Sequence, residues 1–476
     1  MIHLFRDAGK RVFHWKPRLK RLPPFLVLFF LCGAAAFGQD LVRLTPDDAV
    51  DLAIKNNLSL ESARANLDVK KRKSDLVWNE FLPTVGVQGT LMRDNWAATT
   101  QGIDFSASPL PKPYSIELPQ WHVNGALSVS YNFSFALIKG IESIKLDYQA
   151  GLMGLEKARL QMERDVRKTY NQILLLQRNA GLLRESFANA ERRAATAEAN
   201  YHAGLAPRLT WLQARVSAEN MKPTINETEN NLKSLLANFA MTLGLPLDTR
   251  FELVPVEEGD FYIPLDVAEL ISRAASGKPD IMELQSQIRY LASARKARAI
   301  QLYTPYLNLS WSLSSTFTQD PFKESWLTAD NWNKGGNFSI TLGLSLNSLF
   351  PFTKEGQGLK DLDANAQSMN IGLAQAIQGA ELEVYTKVNS LEKTRTTAEA
   401  QRLTVDMAEQ SYHLTEEAYR AGLQDFLEVQ NAELSLSQAK LQLLTQQFNY
   451  LNDLIDLEYA VGVPFGTLSS RNKTGN

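Results

Sequence analysis

Four stretches of the chain alternate apolar and polar residues with a period of two. They lie at about 83–93, 123–133, 305–315 and 337–347. In the last of them Phe338, Ile340 and Leu342 share one face, with polar residues between them. A period of two predicts β-strands, and about 11 residues is the length that a tilted transmembrane strand requires. Because the other face carries Ser, Thr, Asn, Gln and Gly, the pattern is typical of a barrel with lipid outside and water inside.

Between these strands the apolar residues recur with a helical period. Two stretches without proline or a turn cluster, at about 140–203 and 357–421, are each roughly 60 residues long, which corresponds to about 90 Å of helix. Each ends at a glycine, Gly204 or Gly422, after which a second helical pattern returns to about 243 or 461. Glycine is the usual helix stop because it adopts the left-handed conformation at little steric cost. The pattern therefore predicts two long helical hairpins.

The two hairpins belong to an internal repeat. The sequence Tyr201-His202-Ala203-Gly204-Leu205 returns 218 residues later as Tyr419-Arg420-Ala421-Gly422-Leu423. Leu-Gly-Leu-Pro at 243–246 returns at the same offset as Val-Gly-Val-Pro at 461–464. We therefore expect two repeats, at about 44–246 and 264–464, each with two strands and one hairpin. Four strands cannot close a barrel in lipid, and an open sheet edge is not tolerated there, so several copies must combine their strands.

Composition and the N-terminal segment narrow the class of protein. The net charge of -2 over 476 residues argues against a nucleic-acid binder. Residues 1–38 combine a basic stretch, an apolar stretch and small residues, which predicts a signal peptide cleaved after Gly38 and a mature chain of 39–476 with a polar tail at 465–476. The alternative is a retained anchor, for which the apolar stretch is short. The only cysteine, Cys32, lies in this segment, so we expect no disulfide, lipid anchor or thiol chemistry in the mature chain.

The sequence contains few motifs that could carry catalysis or bind a cofactor or a metal ion. There is no glycine-rich phosphate loop ending in Lys-Ser or Lys-Thr, and His122, His202 and His413 lack metal-ligand spacing. The nine methionines form no paired clusters. We therefore expect no enzyme activity, no cofactor and no resident metal.

Several motifs together resemble the TolC-type outer-membrane efflux family. They are the paired Tyr-x-Ala-Gly-Leu turns, the two repeat ends, Lys278-Pro279-Asp280 in place of the family's Arg-Pro-Asp, and Phe81-Leu82-Pro83 before the first strand. The resemblance covers essentially the whole mature chain. It implies an α+β membrane protein of a Gram-negative outer membrane: a homotrimer whose 12-stranded β-barrel continues into a periplasmic α-helical coiled-coil barrel. It also implies docking onto a periplasmic adaptor (membrane fusion) protein and, through it, onto an inner-membrane pump for efflux or type I secretion.

The resemblance also assigns roles to residues. The hairpin tips that meet the adaptor in the family correspond here to Ala203, Gly204, Leu205, Ala421, Gly422 and Leu423. The acidic side chains that close the tunnel in the family correspond to Glu428 and to Asn431, and the asparagine is a departure that implies a weaker acidic gate. Asp425, about one helical turn from Glu428, is placed to reinforce it. Arg208, near the opposite tip, is placed to pair with either acid. Two simpler interpretations remain open, that the glycines only end helices and that Glu428 is a solvated carboxylate.

A second class of function fits a barrel with long helices. The chain would then be a barrel-anchored coiled-coil surface or structural protein. Strands interleaved with helices in two copies argue against that alternative, because an anchored passenger would place its strands together at one end. Single-channel conductance would separate the two classes.

Overall fold

The computed structural model describes residues 42–104, 112–255, 265–317, 319–346, 350 and 352–470, except the side chains of 469 and 470. The predicted signal peptide with Cys32 and residues 471–476 of the predicted tail lie outside these ranges.

Strands and long helices follow one another twice along the chain. The first half contains β1 (Val42–Leu44), α1 (Pro46–Asn56), α2 (Leu58–Asp75), β2 (Thr84–Arg93), β3 (Thr99–Asp104), β4 (Lys112–Glu117), β5 (Trp121–Ser134), α3 (Ala136–His202), α4 (Arg208–Thr242) and β6 (Phe251–Leu253). The second half contains α5 (Val267–Gly277), α6 (Pro279–Tyr303), β7 (Tyr306–Phe317), β8 (Trp332–Gly343), α7 (Lys354–Arg420), α8 (Phe426–Val461) and α9 (Thr467–Ser470). Short 3₁₀ helices lie at Val77–Phe81 and Ala329–Asn331.

Four strands form one antiparallel sheet in the order β2-β5-β7-β8. One row across this sheet is apolar and consists of Val85, Val129, Trp311 and Phe338. The next row is polar or small and consists of Gly86, Ser128, Ser312 and Asn337. One face of the sheet is therefore apolar and the other polar. Within the described residues β2 and β8 each pair with one strand only, so a single chain leaves both outer edges of this sheet open.

Two helical hairpins extend from the sheet. The long helices α3 and α7 have 67 residues each, a length of about 100 Å. The α3 helix packs on its return helix α4, and α7 packs on α8. Because α3 also contacts α8, the two hairpins lie side by side. None of the described helices combines the length and the apolar character needed to cross a membrane.

The main apolar core lies where the first repeat begins and ends. The parallel strands β1 and β6 pack with α1, α3 and α4 around fully buried Tyr170 and Phe239. The Tyr170 hydroxyl lies 2.8 Å from the carbonyl oxygen of Leu44 and 2.7 Å from that of Val254. Burial raises the pKa of Tyr170 to about 12. This side chain therefore ties the first and last strands of the repeat to its long helix.

A second core occupies the equivalent place in the second repeat. Val384, Leu391 and Leu457 are buried in it, 218 residues after Val166, Ile173 and Phe239 of the first core. The repeat deduced from the turn motifs therefore extends to the buried residues.

The glycine at the end of each repeat packs against the break between two helices. Gly244 and Gly462 have φ values of +68° and +73°. A Cβ on Gly244 would collide with the carbonyl of Asn56, and one on Gly462 with the carbonyl of Gly277. Both the left-handed backbone and the close approach require glycine here.

Two features of the β region differ from the sequence-based expectation. The polar stretch at 94–119, which lies between the first two predicted strands and contains none of them, forms the separate hairpin β3–β4 in its described part. The fourth strand runs over 332–343 instead of 337–347. Its first residues, Asn333 to Gly336, are poor strand formers, but they extend the ladder with β7 as far as the pair Phe317 and Trp332. Pairing with a neighbouring strand overrides local propensity at this position.

Candidate functional site

The tips of the two hairpins have the same backbone geometry. Gly204 and Gly422 both have φ of +74°. The amide of Leu205 donates to the carbonyl of Asn200, and that of Leu423 to the carbonyl of Ala418, each over 2.8 Å. These are the bonds by which a left-handed glycine closes the end of a helix. The repeated motif therefore builds the same turn twice.

Each turn presents one apolar side chain to solvent. Leu205 and Leu423 are each 79% exposed. A Cβ on either tip glycine would meet nothing within 4 Å, so the turn has open space around it. We name Ala203–Leu205 and Ala421–Leu423 the docking tips, after the role that the family resemblance implies for them.

A small core joins the two hairpins just above the docking tips. Phe426, at the start of α8, is 6% exposed and packs with Ala197 of α3 and Ala214 of α4. Tyr201 stacks on Trp211 in the first hairpin at a centroid distance of 5.5 Å. This core holds both tips of one chain at the same end of the molecule.

The predicted gate residues lie beside this core, at the starts of α4 and α8. Asp425 precedes the first turn of α8, and its side chain makes no capping hydrogen bond. Glu428 and Asn431 are exposed on the next turns. Arg208 begins α4, is exposed, and forms no ion pair with Asp425 or Glu428 among the described residues of one chain. The structure therefore gathers these four residues near the tips, and the pairing of Arg208 stays a prediction.

A buried ion pair between the hairpins was not predicted from the sequence. Arg193 of α3 contacts Glu433 of α8, and the two side chains are only 14% and 13% exposed. The Tyr412 hydroxyl of α7 lies 3.5 Å from the Arg193 guanidinium. Arg193 is eleven residues before Gly204 and Glu433 eleven after Gly422, or about 16 Å from each tip along the helix. The pair joins one hairpin to the other near the end that carries the docking tips.

A second polar contact joins the same helices farther from the tips. Lys168 of α3 and Lys387 of α7 both bind Asp456 of α8, at 2.9 and 2.8 Å, and Lys387 also binds Asp453 at 3.0 Å. Burial alone would raise the pKa of Asp456, but the two ammonium groups outweigh it and hold that pKa below its usual value. These residues line a polar cavity of about 530 Å³. The interface between the hairpins is therefore charged at two levels.

The Lys278-Pro279-Asp280 motif also acts between helices. Lys278 pairs with Glu383 of α7, while Asp280 accepts from Lys157 of α3 at 2.8 Å. Burial alone would lower the pKa of Lys157, but Asp280 and Glu283 outweigh it and raise that pKa. The motif thus connects α6 to both long helices.

The polar face of the sheet carries hydroxyl and amide groups that bond to one another across strands. Ser310 and Ser339 are 2.7 Å apart, and Asn308 donates to Asn132 at 2.5 Å. No group of His, Cys, Asp or Glu in the described ranges could hold a metal ion. An apolar outer face, a polar inner face and helices far longer than a bilayer is thick define an outer-membrane channel with a periplasmic helical extension.

The comparison with protein families agrees with this class. The model of the outer membrane efflux protein family matches residues 49–245 and 270–463, and the chain belongs to that family. It is therefore an outer-membrane efflux channel of tripartite export systems in a Gram-negative bacterium, and the family is one of channels, not enzymes. The family membership confirms the predicted resemblance and favours the channel over the surface-protein alternative.

Individual relatives are distant in sequence. The pyoverdine export outer membrane protein OpmQ of Pseudomonas putida is 23% identical over 429 residues, which cover 87% of this chain and 85% of OpmQ. The crystal structure of CusC superimposes with a TM-score of 0.66 at 18% identity and covers 88% of this chain and 92% of CusC. The Campylobacter jejuni CmeC outer membrane channel gives a TM-score of 0.66 at 17% identity, over 90% of this chain and 88% of CmeC. These structures confirm the predicted fold.

Proposed function

We propose that three copies of the mature chain, residues 39–476, combine their strands into a 12-stranded barrel and their hairpins into one periplasmic tunnel. The open edges of β2 and β8 support this proposal, because an unpaired edge is not tolerated in lipid. Joining β2 of one copy to β8 of the next satisfies both edges. Light scattering of the purified protein in detergent should give the mass of a trimer, and a monomer with intact circular dichroism would exclude it.

We further propose that the docking tips bind a periplasmic adaptor protein, which delivers substrates from an inner-membrane pump. The observation that carries this proposal is the matched exposure of Leu205 and Leu423 on identical turns. Apolar side chains held on rigid turns bind a partner at low entropic cost. The pump selects the cargo, so drug efflux and type I secretion use the same surface.

The adaptor proposal is tested by Leu205→Asp combined with Leu423→Asp. The matched control is Leu247→Asp, an exposed leucine away from the tips. We expect the tip variant to lose adaptor cross-linking and export while the trimer persists, and the control to behave as wild type. Wild-type cross-linking by the tip variant would remove the docking role from these leucines.

The gate forms part of the same proposal. Three copies of Glu428 make a ring of carboxylates around the periplasmic entrance, with Asp425 about one turn away. A ring of like charge in a narrow mouth attracts cations. Asn431 contributes no charge, so this ring is weaker than one with acids at both positions. Arg208 is placed to pair with an acid of a neighbouring copy.

A further inference from the structure

The connection between β7 and β8 lies on the apolar face of the sheet. In this sheet Val123, Phe317 and Trp332 occupy one cross-strand row. Side chains alternate between faces with a period of two, so this row lies on the same face as Trp311 and Phe338. That face is the one that meets lipid in the barrel. The distal end of the lipid-facing side therefore carries an aromatic row.

Aromatic side chains of the connection pack onto this row. The rings of Phe322 and Trp121 are 5.2 Å apart, and those of Trp326 and Phe317 are 6.0 Å apart. As a result Phe317 is completely buried although it lies on the lipid-facing side. These contacts hold the described part of the connection, residues 319–331, over the outside of the barrel and not over its lumen. We name this segment the outer loop.

Hydrogen bonds hold the two indole N–H groups and the Phe322 amide of this connection. Trp326 donates its indole N–H to the carbonyl of Pro321 at 2.6 Å, and Trp332 donates to the carbonyl of Trp326 at 2.8 Å. The backbone of Phe322 donates to the Asp320 carboxylate at 3.0 Å. The indole N–H groups therefore enter an apolar environment at low cost, while the charged side chains of Lys323 and Glu324 are exposed.

The outer loop leaves large apolar surface exposed to solvent. Leu327 is 96% exposed, Phe322 is 68% exposed and Trp326 is 50% exposed. An exposed group of large apolar side chains marks an interaction surface. Because this surface continues the lipid-facing side of the strands, its natural partner is the same lipid.

The height of the outer loop along the barrel axis is consistent with contact between the loop and lipid. From Tyr306, where β7 leaves α6, to Phe317 is eleven residues, which is about 29 Å along the membrane normal for a strand tilted by about 40°. An outer-membrane barrel has an apolar band about 25 Å tall. Phe317 and the outer loop therefore lie at the boundary of the outer leaflet.

We propose that the outer loop is a membrane anchor that inserts Leu327 and Phe322 among the acyl chains of outer-leaflet lipids. Two basic residues complete the surface. Arg93 and Lys334 lie on the same face of the sheet, are exposed and form no ion pair among the described residues. The Arg93 guanidinium lies 5.7 Å from the Trp121 ring. Such basic groups beside an aromatic row match the phosphates of lipid headgroups.

The predicted mature chain, residues 39–476, contains no cysteine, which makes a site-specific test possible. Leu327→Cys therefore provides one thiol for an environment-sensitive fluorophore. The labelled trimer of the mature chain is reconstituted into phosphatidylcholine vesicles with or without nitroxide-labelled lipid. The matched control is Leu205→Cys, a 79% exposed leucine at the opposite end of the molecule.

The expected result is blue-shifted emission at position 327 and at least twofold quenching by nitroxide-labelled lipid, with neither effect at position 205. Emission at 327 that matches position 205 would overturn the proposal, since the loop would then lie in water. Blue-shifted emission without lipid quenching would also overturn it, because a neighbouring subunit would then cover the loop.

Discussion

The buried ion pair between Arg193 and Glu433 should hold the channel closed. It joins α3 of one hairpin to α8 of the other, close to the docking tips. In the proposed tunnel, an opening that separates the two hairpins of one chain has to break this pair. We therefore predict that Glu433→Gln, which keeps the side-chain volume and removes the charge, shifts the channel towards the open state.

The free energy lost in Glu433→Gln follows from the burial of the Arg193 and Glu433 side chains. Removing one partner of a fully buried pair costs about 3–5 kcal/mol. Both side chains keep some exposure, and glutamine still accepts a hydrogen bond, so a loss of about 1.5–3 kcal/mol per chain is the better figure. Each 1.4 kcal/mol is a factor of ten, so the opening equilibrium should rise about 10- to 100-fold per chain.

Single-channel recording in planar bilayers measures this shift as a larger open probability or conductance. The matched control is Glu229→Gln, because Glu229 pairs with Arg184 at 2.6 Å within a single hairpin. That pair joins α3 to α4, and its side chains are 60% and 30% exposed. Both variants lose one carboxylate, so an effect of net charge would appear in both.

The two variants therefore distinguish an ion pair that controls opening from one that only stabilises the fold. If Glu433→Gln lowers the melting temperature but leaves the conductance histogram like that of wild type and Glu229→Gln, the pair stabilises the fold and does not control opening.

Three further predictions concern the tips, the gate and the core. Valine in place of Gly204 or Gly422 should strain a backbone at φ of +74° by about 1–2 kcal/mol, and should reduce adaptor cross-linking while light scattering still reports a trimer. Glu428→Ala should raise conductance and lower cation preference in reversal-potential measurements; no change in either would remove Glu428 from the gate. Tyr170→Phe removes the hydroxyl bonded to the carbonyl oxygens of Leu44 and Val254, of which that of Leu44 still accepts from the Val254 amide, and should lower stability by about 1–3 kcal/mol per chain in denaturant titrations. Because the pKa of Tyr170 is raised in the folded state from 10.0 to about 12, wild type should lose stability as the pH rises from 10.0 to about 12, and the Phe variant should lose less.

The features that the sequence predicted well are encoded locally. The stretch Thr45-Pro46-Asp47-Asp48 has the sequence of a helix start. In the structure Thr45 accepts from the amide of Asp48, and the Asp48 carboxylate accepts from the amide of Thr45. Gly204 and Gly422 have the left-handed backbone expected of a glycine that ends a helix. Alternation with a period of two located all four strands of the main sheet, because the two faces meet different solvents.

The contacts that the sequence did not reveal join distant parts of the chain. Arg193 and Glu433 are 240 residues apart, and Lys168 and Asp456 are 288 apart. In the sequence, an isolated charged residue on a long helix has the same pattern around it whether its side chain faces water or a second hairpin. The start of β8 was missed for a related reason, since its strand conformation comes from pairing with β7 and not from its own residues.

The two repeats close their cores by different means. In the first, the strands β1 and β6 cover the core and Tyr170 holds them. In the second, Glu458 stands where the first repeat has Ala240. Glu458 is 1% exposed, and its carboxylate accepts from the amides of Gly466 and Leu468 at 2.9 and 2.8 Å, which seats Leu468 on the core.

This difference between the repeats has a functional consequence. A buried carboxylate that serves two backbone amides fixes the end of α8, and the same helix carries Asp456, Glu433 and Glu428. Asp456 and Glu433 join α8 to α3 at two levels, and Leu444 and Phe448 of α8 also pack in the core of the first repeat. If a partner binds the docking tips as proposed, a movement of α8 against α3 has to break the charged contacts of Asp456 and Glu433 as well as this packing.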